Sequence, residues 1–107
     1  MKLILAIISE DDTKPVISAL NKESFQVTKL STSGGFLSMG NTTIMIGCAD
    51  ELVEKAISII GSESEKRTEI VPTAGTIDMN AITSIPVEVQ VGGATIFVLN
   101  VEDFRKL

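Results

Sequence analysis

The run Leu3-Ile4-Leu5-Ala6-Ile7-Ile8 is apolar at every position, which predicts a strand covered on both faces rather than an alternating surface strand. Polar residues Ser9-Glu10-Asp11-Asp12 end it. Asp11 or Asp12 can cap a following helix, Pro15 fits its first turn, and Val16, Ile17, Ala19 and Leu20 form an apolar stripe up to Asn21-Lys22. Phe25 and Val27 then alternate with polar neighbours and predict a second strand, and residues 42–49 a third. Asp50 is expected to cap a second helix. Its apolar face would be Leu52, Val53, Ala56, Ile57, Ile59 and Ile60, with Gly61 as the stop and Ser62 to Ser64 as a solvated turn. Lys66 to Val71 reads as a strand, residues 72–84 as a long loop, and Val87, Val89 and Val91 alternate with Glu88 and Gln90. Gly92-Gly93 interrupts that strand before the apolar run Ala94 to Leu99, so the pair is expected to bend the chain into the main sheet.

The predicted order is β-α-β-β-α-β with an extra two-stranded arm. That is an α+β, ferredoxin-like arrangement in a single domain over residues 1–107, with both helices on one face of an antiparallel sheet. The strands are apolar on both sides, yet no further helix is available for the second face. Other copies of the chain are expected to cover it.

Charge and composition narrow the function. With 9 basic and 14 acidic residues the formal net charge is −5, which opposes binding to a nucleic-acid backbone. There is no His, and Cys48 is the one cysteine, set in an apolar run where a buried, inert thiol is expected. Glu10, Asp11 and Asp12 sit where helix capping accounts for them, and no set of oxygen ligands converges with them, so neither a catalytic nor a metal site is expected. Six apolar residues are too few for a membrane span, and no cleavage site follows them; the expected location is the cytoplasm.

Residues 28–43 concentrate the candidate chemistry. Gly34, Gly35 and Gly40 allow close backbone approach, Thr28, Ser31, Thr32, Ser33, Asn41, Thr42 and Thr43 offer short polar groups, and Phe36 is the only ring there. The segment reads either as a nucleotide-holding loop or as a glycine-rich hairpin whose Phe36 packs on a neighbour, since no fixed phosphate-loop pattern is present. Lys29 points opposite to Thr28 by alternation and reads as a solvated or interface residue, and Arg67 as an edge-strand charge. Ile77, Met79 and Ile82 read as a partner surface or as packing against the arm itself.

Several separated motifs together resemble one family. They are Met1-Lys2-Leu3-Ile4, Thr28-Lys29-Leu30, Thr32 with Gly34-Gly35-Phe36-Leu37, Gly40-Asn41-Thr42-Thr43, Val87-Glu88-Val89 and Val91-Gly92-Gly93-Ala94-Thr95. In these the chain resembles the PII-like cyclic-di-AMP receptors. The resemblance implies a homotrimer that binds cyclic di-AMP in clefts between subunits, performs no catalysis, needs no cofactor, and relays the signal through loop rearrangement to a downstream protein of open identity. It implies ligand positions at Thr28, Gly35, Phe36, Leu37, Asn41 and Gly47. Phe36 would stack on adenine, Thr28 and Asn41 would hydrogen-bond base or ribose-phosphate atoms, and the main chain at Gly35, Leu37 and Gly47 would give close polar contacts. The chain departs from the family pattern where Ser24 and Gln26 replace Asn and Arg, and where Ser38 replaces a basic residue. At the ligand-side position 26, glutamine lacks the charge and bidentate fork of arginine. The alternative reading is a diverged PII-like module that binds another adenine nucleotide or only a protein partner.

Overall fold

Strand β1 (Lys2–Ser9) occupies an interior position of a four-stranded antiparallel sheet, as its unbroken apolar run requires. In a computed structural model, which describes residues 1–30, 40–72 and 86–107, it is followed by α1 (Thr13–Lys22), β2 (Val27–Leu30), β3 (Asn41–Cys48) and α2 (Val53–Glu63). Then come β4 (Arg67–Pro72), β5 (Pro86–Val91) and β6 (Ala94–Asn100). The main sheet has the order β2-β3-β1-β6, and β4 pairs with β5 in a separate antiparallel arm. Two helices with antiparallel sheets is the α+β class expected from the periodicity.

Alternation divides β1 between two environments. Ile4, Ala6 and Ile8 face the helices and are buried with Ile44 and Ile46 of β3, Val16 and Leu20 of α1, and Val53, Ala56 and Ile60 of α2. Leu3, Leu5 and Ile7 face the other way and are only half-buried.

Three helix-end expectations are corrected. Neither Asp11 nor Asp12 caps α1, and Asp50 does not cap α2; each helix is entered through a short 3-10 turn, at Glu10–Asp12 and Asp50–Leu52, without a side-chain cap bond. The Asp12 carboxylate is taken by Arg67 and that of Asp50 by the Met1 α-ammonium at 2.9 Å. A cation offers a charge-assisted bond stronger than a neutral amide can give, so the nearby cation wins. Gly61 does not stop α2, which continues to Glu63. Ser64, expected in solvent, is instead buried, and its hydroxyl donates to the Ile60 carbonyl left open at the helix end.

The end of α1 is a Schellman turn. The Phe25 N–H donates to Leu20 O at 3.0 Å and the Ser24 N–H to Asn21 O at 3.0 Å, while the Phe25 and Leu20 side chains both enter the core. The residue between must adopt left-handed backbone, and Ser24 does so at φ 67°. Glycine, and to a lesser degree asparagine, takes that conformation more readily. Replacing Ser24 with Gly is expected to raise stability by about 0.5–1 kcal/mol, read as a higher urea midpoint at unchanged slope.

Candidate functional site

Strand register sorts the candidate ligand residues onto one face. β3 pairs with β1 as Leu3↔Gly47, Leu5↔Met45, Ile7↔Thr43 and Ser9↔Asn41, and β2 pairs with β3 as Thr28↔Met45. Partners in a ladder share a face, so Thr28, Asn41 and Gly47 all lie on the side away from the helices, with Leu3, Leu5 and Ile7. β6 adds Phe97 opposite Leu5 and Leu99 opposite Leu3, exposed by 52% and 45%. The middle of this face is thus apolar and its ends carry the polar candidates.

Those ends are far apart. Thr28 and Gly47 are close neighbours on adjacent strands, and Gln26 is exposed just before β2 begins, next to them. Asn41 starts β3 six residues before Gly47, about 20 Å away at ~3.3 Å per residue. One protomer therefore presents two separate polar patches. Gly35, Phe36 and Leu37, together with Ser38, lie outside the described residues, as do Ile77, Met79 and Ile82.

The Asn41 patch opens on a groove of about 210 Å3, lined among others by Ile7, Ser9, Lys66, Gly93 and Thr95. This is below the ~300–1,000 Å3 of a typical small-ligand pocket, so it has room for only part of a large ligand. A larger open hollow of about 530 Å3, lined by Lys14, Ile17, Ser18, Asn21 and Lys22, lies along α1. It includes none of the sequence-predicted residues, and the groove, which does include one, is the better candidate.

Glu10 holds the strand ends beside that groove. The Thr42 hydroxyl donates to Glu10 Oε2 at 2.9 Å, Lys29 Nζ approaches Oε1 at 3.3 Å, and the Glu10 N–H donates to Gly40 O at 2.7 Å. The end of β2 and the start of β3 are so tied to the turn after β1. The Thr42 hydrogen bond, then Lys29, lowers the Glu10 carboxyl below its ordinary value. Lys29, which alternation does place opposite Thr28, is engaged by an acid rather than only solvated.

Arg67 is likewise more than an edge charge. Its Nη2 and Nη1 reach the two carboxylate oxygens of Asp12 at 2.8 and 3.4 Å, and Nε lies 3.5 Å from Glu69. The Asp12 bond is the first cause that raises the Arg67 pKa. This bidentate pair fastens the arm to the entry of α1 across 55 residues of sequence, a separation no local pattern reveals. Among the described residues no cluster of three or more His, Cys, Asp or Glu could hold a metal ion. Cys48 is buried, and desolvation pushes its thiol pKa up, as an inert core thiol requires.

The family model described as the cyclic-di-AMP receptor matches residues 1–107, the whole chain. The chain belongs to the cyclic-di-AMP receptor family. A crystal structure of a functionally unknown protein from Pediococcus pentosaceus ATCC 25745 is similar to it, with a TM-score of 0.75 and 38% sequence identity. That match covers 99% of this chain and 96% of the other. The cyclic-di-AMP receptor family is one of binding and signalling proteins.

The lowered Glu10 pKa has a definite linkage sign. Its contribution to stability is complete above the ordinary carboxylate range and is lost as pH falls through the depressed folded value. Carboxyl titration by carbon NMR should find Glu10 below an ordinary Glu, and Thr42→Val should move it upward.

Proposed function

We propose that this protein is a cytoplasmic signalling receptor that binds cyclic di-AMP in clefts between copies of the chain and relays occupancy to a partner protein without catalysing a reaction. One observation carries the intersubunit part of this reading. The Thr28–Gly47 patch and the Asn41 patch lie about 20 Å apart on one strand face, so one compact ligand meets both only when they come from two protomers. The exposed Phe97 and Leu99, with half-buried Leu3 and Leu5 beside them, offer the apolar surface that such a contact would cover. The family resemblance supports three copies in a ferredoxin-like, PII-like trimer.

Within the cleft, Phe36 would stack on an adenine, and Thr28 and Asn41 would donate to or accept from base and ribose-phosphate atoms. Main-chain groups at Gly35, Leu37 and Gly47 would approach closely because glycine at 35 and 47 leaves the backbone uncovered; a Cβ on Gly47 would meet nothing within 4 Å in the single protomer. Among the described residues no helix is long and apolar enough to cross a membrane.

A second reading is favoured by the neutral Gln26, exposed beside the Thr28 patch: a diverged receptor that takes another adenine nucleotide, or only a protein. Calorimetric titration with cyclic di-AMP, cyclic di-GMP, ATP and cyclic AMP separates the two. Cyclic di-AMP should bind best, Asn41→Ala should weaken it on the order of tenfold, and Gln26→Arg should tighten it by a similar factor. A folded trimer that gives no heat with cyclic di-AMP, yet gains binding with Gln26→Arg, would establish the diverged reading instead.

A further inference from the structure

We infer that Lys66 supplies the positive charge that position 26 lacks, by holding a phosphodiester of the ligand in the groove beside Asn41; the inference rests on the receptor reading above. A cyclic dinucleotide brings two phosphodiester anions to a chain of net charge −5, so a local cation would favour its binding. Most basic side chains near the strands are engaged. Lys29 is held by Glu10, Arg67 by Asp12 and Glu69, Lys2 by Asn100, and Lys55 by Glu23 at 2.9 Å. Lys14 and Lys22 line the hollow along α1. Lys66 lines the groove that contains Asn41, and among the described residues no carboxylate lies within ion-pair distance of it.

The groove is built to lay this side chain along its wall. Gly93 has φ +82°, and a Cβ there would come within 3.1 Å of Lys66 Cγ and 3.2 Å of its Cε. Glycine at 93 therefore serves the turn and leaves room for the lysine stem. The Gly93 N–H donates to Ser64 O on one side of Lys66, and Arg67 is clamped to Asp12 on the other. Lys66 is exposed, so its ammonium can reach an anion entering the groove while its stem runs past Gly93. The groove's 210 Å3 suits a sugar-phosphate portion and leaves the remainder of the ligand to the facing protomer. A charge absent from the Gln26 patch is then offered from the Asn41 patch across the cleft.

Titration calorimetry with cyclic di-AMP at low and high salt tests this on the full-length protein, Lys66→Met, Lys66→Arg and, as control, Lys22→Met. Lys66→Met should bind on the order of tenfold more weakly with a flatter salt dependence, while its unliganded melting temperature stays unchanged. Lys66→Arg should restore both affinity and salt dependence, and Lys22→Met should leave them alone. If the natural chain binds and Lys66→Met matches it in affinity and salt response, the role of Lys66 is refuted and the receptor reading survives. Equal weakening by Lys66→Met and Lys22→Met also refutes it, because general charge then suffices. Absence of binding by the natural chain overturns both.

Discussion

Apolar side chains on both faces of β1 are the constraint from which the remaining arrangement follows. Ile4, Ala6 and Ile8 are sealed by two helices, and each fully buried isoleucine contributes roughly 1.5–3 kcal/mol relative to exposure. The odd-numbered residues Leu3, Leu5 and Ile7 carry similar apolar area but have only the far sheet face, shared with Met45, Phe97 and Leu99. Because these side chains are already half-buried, covering that face would release less per side chain than the full burial of an isoleucine. The candidate ligand residues Thr28, Asn41 and Gly47 sit on this same half-covered face.

Three carboxylates act as ties between distant parts of the chain. Glu10 joins the turn after β1 to Lys29 and Thr42, Asp12 joins α1 to the arm through Arg67, and Asp50 joins the entry of α2 to Met1. The Asp12 carboxylate is nearly buried while Arg67 is 39% exposed, so this pair is screened from one side only. Glu10 and Asp50 are exposed and serve more to set strand-end positions than to stabilise the fold. The groove at Asn41 has walls from β1, β3, the start of β6, Lys66 and the glycine pair.

The elements follow local rules where side-chain period and backbone sterics decide them. The apolar run of β1, the stripes of α1 and α2 apart from exposed Leu52, the alternation of β5 and the break at Gly92-Gly93 were legible, because each depends on residues within one turn or one strand. Lone Cys48 in an apolar run also signalled its buried state. The opposite sides of Thr28 and Lys29 followed from alternation alone. Gly61 was a misleading stop signal: tertiary packing of Ile57 and Ile60 carries α2 past it, and buried Ser64 closes the last carbonyl.

What the amino-acid order determined by itself was the class of fold, the helix-facing core and the set of residue types that resemble a nucleotide receptor. Only the folded chain decided which acid meets which cation, that Asn41 and Gly47 occupy opposite ends of β3, and that Lys66 shares a groove with Asn41. The physical reason is range. Hydrophobic period and φ preference act between near neighbours, whereas ion pairs and grooves join residues tens of positions apart, and their partners exist only after the sheet has set its register.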